Sequence, residues 1–236
     1  MPDFCQGFWA IWLWGLLLCP FRERPEGTAM SKFARFAATI VATIALVGTA
    51  DACSRQTVSG ADTLVRPDKN LNQRLIDAAI RSELNYHRCK AGLSQLQAAG
   101  GLAQVAATHS RWMARAGAVS HKSTVAGQST VMSRMLGTGL KFHAGSENIG
   151  MVHRFGIDGQ NFRIKGTCSF ATQAGQPIGA HTYASLARAM VDLWMASPAH
   201  RRNILDPKVR MVGSGAGFRA EAPYCGQFYL SQNFAG

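Results

Sequence analysis

Apolar residues recur along this chain with two periods, and the periods mark out its elements. Between Leu71 and Lys90, Ile76, Ile80 and Leu84 fall on one stripe backed by Leu75 and Ala79, the spacing of an amphipathic helix. Gly92 and the Gly100–Gly101 pair interrupt the pattern. A stronger helical stripe follows in Leu102, Val105, Ala106, His109, Trp112, Met113 and Ala116, with Gly117 placed as its cap. A short helix is predicted from Gln128 to Leu136 and a strand from Ser146 to Val152. Leu186, Ala187, Met190, Val191, Trp194 and Met195 then form another amphipathic helix, ended by Ser197–Pro198. Two strands close the chain, about Val209 to Phe218 and Gln227 to Phe234; the second alternates Phe228, Leu230, Gln232 and Phe234 on one face. Residues 154–182, rich in Gly, Gln and Thr, read as an irregular hairpin. Helices come first, and strands then interleave with one helix. That order predicts an α+β fold in which a small sheet is sandwiched between helices.

The region before Leu71 reads differently. From Met30 a basic stretch, Met-Ser-Lys-Phe-Ala-Arg, precedes apolar residues from Phe36 to about Val47 and an Ala-x-Ala signal at Ala50–Ala52. Residues 30–52 are therefore read as a signal peptide, with a mature N-terminus at or near Cys53. Its apolar stretch falls short of the roughly 20 residues a spanning helix needs. A lipid-modified Cys53 is disfavoured because Asp51 stands where such signals place a small neutral residue. Residues 1–29 carry a second apolar run, Phe8 to Cys19, with no basic residue before it. They are read as an upstream extension, translation starting at Met30, or else as a membrane-inserted leader. Residues 53–70, polar and turn-prone, are read as a linker, and residues 71–236 as the domain.

Charge and cysteines refine this picture. The chain carries a formal net charge of +12 with 16% charged residues. Four basic and four acidic residues cancel within residues 1–52, so the excess lies in the exported body. A basic body favours anionic envelope components; nucleic acid is not expected outside the cytoplasm. The basic residues are scattered rather than run together, which also suits a simple solubility role. Cys53, Cys89, Cys168 and Cys225 follow the leader, no Cys-x-x-Cys occurs, and four cysteines in an exported domain read as two disulfides with three pairings open.

Several short motifs occur in order: Val119-Ser120-His121; Gly145-Ser146-Glu147-Asn148-Ile149; the run from Trp194 through Ser197-Pro198-Ala199-His200 to Leu205; Gly213-Ser214-Gly215; and Gln232-Asn233-Phe234. Together they resemble the CAP superfamily of cysteine-rich secretory, antigen 5 and pathogenesis-related proteins, most closely its bacterial branch, over about residues 71–236. The resemblance implies a three-layer α/β/α sandwich with a small antiparallel sheet. It also implies a cleft of two histidines and two glutamates. By motif these are His121, Glu147 and His200; Ser197 stands where the second glutamate is usual, and the family's second cysteine-rich domain is missing. In such a sheet Cys168, in the irregular segment, and Cys225, between the last two strands, come close. That pairs Cys168 with Cys225 and Cys53 with Cys89, the last two lying at the start of the domain.

His121, His200 and Glu147 form a ligand set suited to a divalent metal such as zinc, with an open position for an activated water. The competing reading makes Glu147 a scaffold that orients both histidines by hydrogen bonds. Ser197 is read as a helix end rather than a nucleophile, His109 as a core residue, and Asn203 and Gln232 as structural groups beside the cleft. Gly213, Gly215 and Gly217 lack the helix start and Lys-Ser/Thr of a phosphate loop, and suit close backbone packing or a bulge. His87, His143, His153 and His181 receive no role. Three functions follow. The leading one is an extracytoplasmic monomeric domain, periplasmic or secreted, that binds a small lipid, glycan or peptide, with membrane association only through its N-terminus. The second is a metal-dependent hydrolase using His121, His200 and Glu147. The third is a structural or interaction protein of the envelope. Binding is expected ahead of catalysis.

Overall fold

Residues 53–67 and 70–236 are described by a computed structural model. The expected signal peptide, and the segment before it, lie outside the described residues. Among the described residues the chain runs α1 (Gln73–Lys90), β1 (Gln97–Ala98), α2 (Gly100–Ala116), α3 (Val131–Leu136), β2 (Gly145–His153), β3 (Phe162–Gly166), β4 (Ser169–Thr172), β5 (Pro177–Ile178), α4 (Tyr183–Ala196), α5 (Pro198–Ile204), β6 (Met211–Arg219) and β7 (Gln227–Ala235). Local chemistry sets the helix ends. The Asn72 side chain accepts from Leu75 N at the start of α1. Reciprocal boxes, Thr130 with Ser133 and Thr182 with Ser185, open α3 and α4. Gly117 closes α2 at φ 65°, a left-handed conformation that a side chain disfavours.

The main sheet has the order β1-β6-β7-β2. β6–β7 and β7–β2 are antiparallel, and the two-residue β1 joins β6 in parallel. Alternation along β7 sorts its side chains between two faces. Phe228, Leu230 and Phe234 pack with Ile80 and Leu84 of α1 and Met190 and Trp194 of α4. Tyr229 and Ala235 join Met113 and Leu102 of α2 on the other face. The result is the expected α+β sandwich, a sheet between helical layers. Trp194 is almost fully buried and its indole N–H donates to the Ile149 carbonyl at 3.0 Å, tying α4 to β2.

Gly213, Gly215 and Gly217 form every second residue of β6, and α2 lies directly on them. A Cβ at each would enter the contact distance of Ala103 N, Ala107 N and the Ser110 carbonyl respectively. The glycines thus serve close backbone packing, the use foreseen for them. Beyond β1 the outer edge of β6 is closed by side chains. Asp77 Oδ1 accepts from Ser214 N at 2.8 Å. The Gln73 amide accepts from Ala216 N at 3.0 Å and donates to its carbonyl at 2.8 Å. Two side chains of α1 thereby do the work of a neighbouring strand and protect the edge.

Several elements differ from expectation. The stretch from Cys53 to Pro67, read as a linker, packs into the domain. Ala61 and Val65 are buried in the core, Val65 N donates to the His181 carbonyl, and Ala184 N donates to the Ala61 carbonyl. Tertiary contact, not local pattern, orders it. The expected irregular hairpin is a second antiparallel sheet, β3-β4-β5. Pro198 does not merely end a helix; it occupies the first turn of α5, where its missing N–H costs nothing. Fully buried Arg88 donates to the carbonyls of Ser94, Ile204 and Asp206, and so holds the end of α5.

Two disulfides are formed, Cys53–Cys89 and Cys168–Cys225. The first uses the sulfur that a lipid thioether on Cys53 would require. Such bonds persist in oxidising, extracytoplasmic compartments. No helix among the described residues is long and apolar enough to cross a membrane.

Candidate functional site

Glu147 lies on β2, opposite Asn233 of β7, with its carboxylate fully buried. Arg134, from the short helix α3, is equally buried and meets both carboxylate oxygens. Its Nε donates to Oε2 at 3.0 Å, and its Nη2 donates to Oε1 at 2.7 Å and Oε2 at 2.8 Å. Its Nη1 donates to the Gln128 carbonyl at 3.0 Å, and Nη2 is shared with the His121 carbonyl at 2.8 Å, which holds the loop between α2 and α3. One guanidinium therefore fixes both the carboxylate and the loop that presents His121.

His121 donates from Nδ1 to Glu147 Oε1 at 2.8 Å. An ionised carboxylate can only accept, so this bond places the proton on Nδ1 and leaves Nε2 of the neutral ring as an acceptor. The His121 side chain is 51% exposed, so that nitrogen is available to solvent or ligand. Behind it, His109 is 1% exposed and stacks on Trp112, with ring centroids 5.7 Å apart. His109 Nε2 donates to the Ser120 carbonyl at 2.8 Å and lies 4.0 Å from Glu147 Oε1. It is the core residue the sequence suggested, and it also lines the back of the site.

His200 sits on α5 and is held through its main chain, the Asn148 amide donating to its carbonyl at 3.2 Å. Asn148 also accepts from Asn203 at 2.8 Å and donates to Gln232 Oε1 at 3.3 Å. The structural roles foreseen for Asn203 and Gln232 are thus made concrete by Asn148, the residue beside Glu147. Ser197 joins α4 to α5 and makes no side-chain capping bond. The structure thus couples His121 directly to Glu147, sets His200 nearby on α5, and leaves Ser197 outside this hydrogen-bonded set. Arg134 was not foreseen. The readable signal was a charge at an inward position, three residues after Val131 and one before buried Met135.

Electrostatics follow from burial. Desolvation alone would raise the Glu147 carboxyl, but the hydrogen bonds from His121 and Arg134 and the Arg134 charge outweigh it and hold it below the ordinary value. Desolvation lowers His87, His109, His181 and His200; in His200 the neighbouring His121 adds to it. The residues do not fit a three-ligand metal centre. A guanidinium already occupies the position of a cation on both Glu147 oxygens. Among the described residues no three His, Cys, Asp or Glu side chains are grouped to hold a metal ion.

Stability is expected to fall in two stages on acidification. The four lowered histidines bind protons more weakly folded than unfolded, so stability is complete above their ordinary value of 6.5 and drops as pH falls below it. Glu147 contributes fully above 4.5, and that contribution is lost as pH falls through its lower folded value. Asp77, raised by burial, acts in the opposite direction above 3.8. Urea midpoints measured from pH 7.5 to 4 test this. A flat profile between 7.5 and 5.5 would show the histidine assignment to be wrong.

The model of the cysteine-rich secretory protein (CAP) family matches residues 81–234. No curated protein matches the chain. Among solved structures, the chain is similar to an SCP-domain extracellular protein from Bacillus anthracis str. Ames, at 22% identity and a TM-score of 0.45, over 68% of this chain and 40% of that one. An outer surface protein from Borrelia burgdorferi matches at 14% identity and a TM-score of 0.45, over 67% of this chain and 90% of that one. A cysteine-rich secretory protein from Staphylococcus aureus subsp. aureus Mu50 matches at 14% identity and a TM-score of 0.40, over 70% of this chain and 39% of that one. The chain thus spans about two fifths of the Bacillus and Staphylococcus proteins. With the family model covering most of the folded domain, the chain belongs to the cysteine-rich secretory protein (CAP) family.

Proposed function

We propose that this protein is an exported, periplasmic or secreted, binding domain whose His121–Glu147 cleft takes a small polar ligand. The supporting observation is His121 itself: half-exposed, turned by a buried carboxylate, with Nε2 as an outward acceptor. His200, whose imidazole is pushed below its ordinary value by burial and by the neighbouring His121, would add a second imidazole to the same cleft. Of the lipid, glycan and peptide ligands considered, a glycan or a peptide suits such groups best, since each offers hydroxyl or amide N–H donors. The hydrolase reading loses support because Glu147, bound on both oxygens by Arg134, is not free to act as a base or a metal ligand.

Imidazole nitrogen NMR of the oxidised protein tests the proposal, with chitotriose and a tripeptide as probes. The His121 Nε2 resonance is expected to shift on titration with at least one probe, and His121→Ala is expected to abolish binding. A calorimetric zinc titration should find no stoichiometric, His121-dependent site. Stoichiometric zinc lost in both His121→Ala and His200→Ala would install the hydrolase reading instead. No response to either probe would favour the structural envelope role.

A further inference from the structure

A second candidate site shares no lining residue with the His121–Glu147 pair. A groove runs between α1 and α2 along the outer edge of β6. Its main part has a volume of about 630 Å³. A further space of about 460 Å³ adjoins it, Gln73 and Arg111 lining both. Arg74 and Arg81 stand on the α1 wall, Arg111 on the α2 wall, and Arg115 lines the adjoining space. Arg74, Arg111 and Arg115 form no ion pair with another described residue. Asp77 is the carboxylate among the described lining residues, and it is already engaged. Its Oδ1 accepts from Ser214 N, and its Oδ2 accepts from Arg81 at 2.9 Å.

We propose that this groove binds an extended polyanion, a polymer carrying repeated phosphate or carboxylate groups. Arginine is suited to both groups, because its planar fork pairs two-to-two with their oxygens. The spacing favours a chain over a single compact ion. Arg74 and Arg81 are seven residues apart on one helix face, about 10 Å along the axis, and Arg111 and Arg115 are one turn apart, about 6 Å. Charged groups in rows on facing walls match charges repeated along a polymer. Among the described residues the lining carries one aromatic ring, Phe218 in the adjoining space. That is too little stacking surface for a single-stranded nucleic acid, which binds through bases laid on aromatic side chains. The formal charge of +12 supplies the long-range attraction.

The test measures binding of the disulfide-bonded protein to three probes across a salt series: long-chain inorganic polyphosphate, polygalacturonate and an oligothymidylate. Polyphosphate or polygalacturonate should bind, and which of the two binds tighter identifies the anionic group. Arg74→Glu/Arg111→Glu should weaken binding at least about tenfold, and the neutral pair Arg74→Gln/Arg111→Gln should lower the salt slope by about 1.4, near 0.7 for each lost contact on a single chain. Both residues are exposed, and thermal melts will confirm that the variants fold. Arg163→Glu/Lys165→Glu, the same charge change on β3, should cost less than about threefold, as a distant charge acts only through the screened overall field. His121→Ala should leave polyanion binding unchanged, which separates this site from the cleft. The proposal is overturned if neither polymer binds at low salt, if the oligothymidylate binds tightest, or if the β3 control loses as much as the groove variants.

Discussion

Arg134→Met is expected to destabilise the folded domain by about 3–5 kcal/mol, the usual cost of breaking a buried ion pair from one side. The side chain it removes is fully buried and spends its donors on Glu147 and on the Gln128 and His121 carbonyls. Without it, a carboxylate remains in the interior with one hydrogen-bonded imidazole, His109 at 4.0 Å and the Ser231 hydroxyl at 3.4 Å. The second half of the experiment is a double-mutant cycle by urea unfolding. Glu147→Met in the Arg134→Met background should recover much of the loss, because an apolar pair of similar volume removes the stranded charge. It should not recover all of it, since the carbonyls held by Arg134 lose their donor. A single Arg134→Met variant within about 1 kcal/mol of the parent would show that Glu147 does not depend on this guanidinium, and the account of the site would fail.

That ion pair also marks where sequence reading stopped. The major helices were legible because each buries one face, and burial on a cylinder imposes its period: Ile76, Ile80, Leu84 on α1 and Leu102, Val105, Ala106, Met113 on α2. β7 was legible at period two although both its faces are buried, because Phe228, Leu230 and Phe234 alternate with smaller or more polar residues such as Ser231 and Asn233. His121, Glu147 and His200 were found through the motifs they sit in, and the structure joins His121 to Glu147 directly. Arg134 was hidden because α3 has six residues, too few for a stripe to separate an inward arginine from an exposed one. Its partner is thirteen residues away on another element. β3, β4 and β5 escaped because they are short and their two buried residues, Phe170 and Ala171, are adjacent rather than alternate, so no alternation is imposed. The segment from Cys53 to Pro67 escaped because Val58, Ala61 and Val65 are too sparse for any period, yet a disulfide and the α1–α4 surface hold them. Patterns report burial that repeats; they miss contacts made once.

The glycines of β6 are the converse case, a repeat whose meaning lies entirely in what packs on it. Gly215→Ala is expected to cost about 3 kcal/mol or more, at or above the upper end of ordinary overpacking. The new methyl would meet Ala107 N, Cα and Cβ, so the obstacle is chiefly backbone, which no rotamer change relieves. β6 cannot retreat, because it is bonded to β7 along its whole length and pinned on its outer edge by Asp77 and Gln73. α2 cannot lift without uncovering Leu102 and Met113, which are fully buried against the sheet. Gly100→Ala is the control: a Cβ there meets nothing within 4 Å, and the change should stay within about 0.5 kcal/mol of the parent. Ala107→Gly in the Gly215→Ala background should restore only a minor share, since Ala107 N and Cα remain. Full restoration would mean that the contact is between side chains and that the close approach of α2 to β6 is not what the glycine stripe secures.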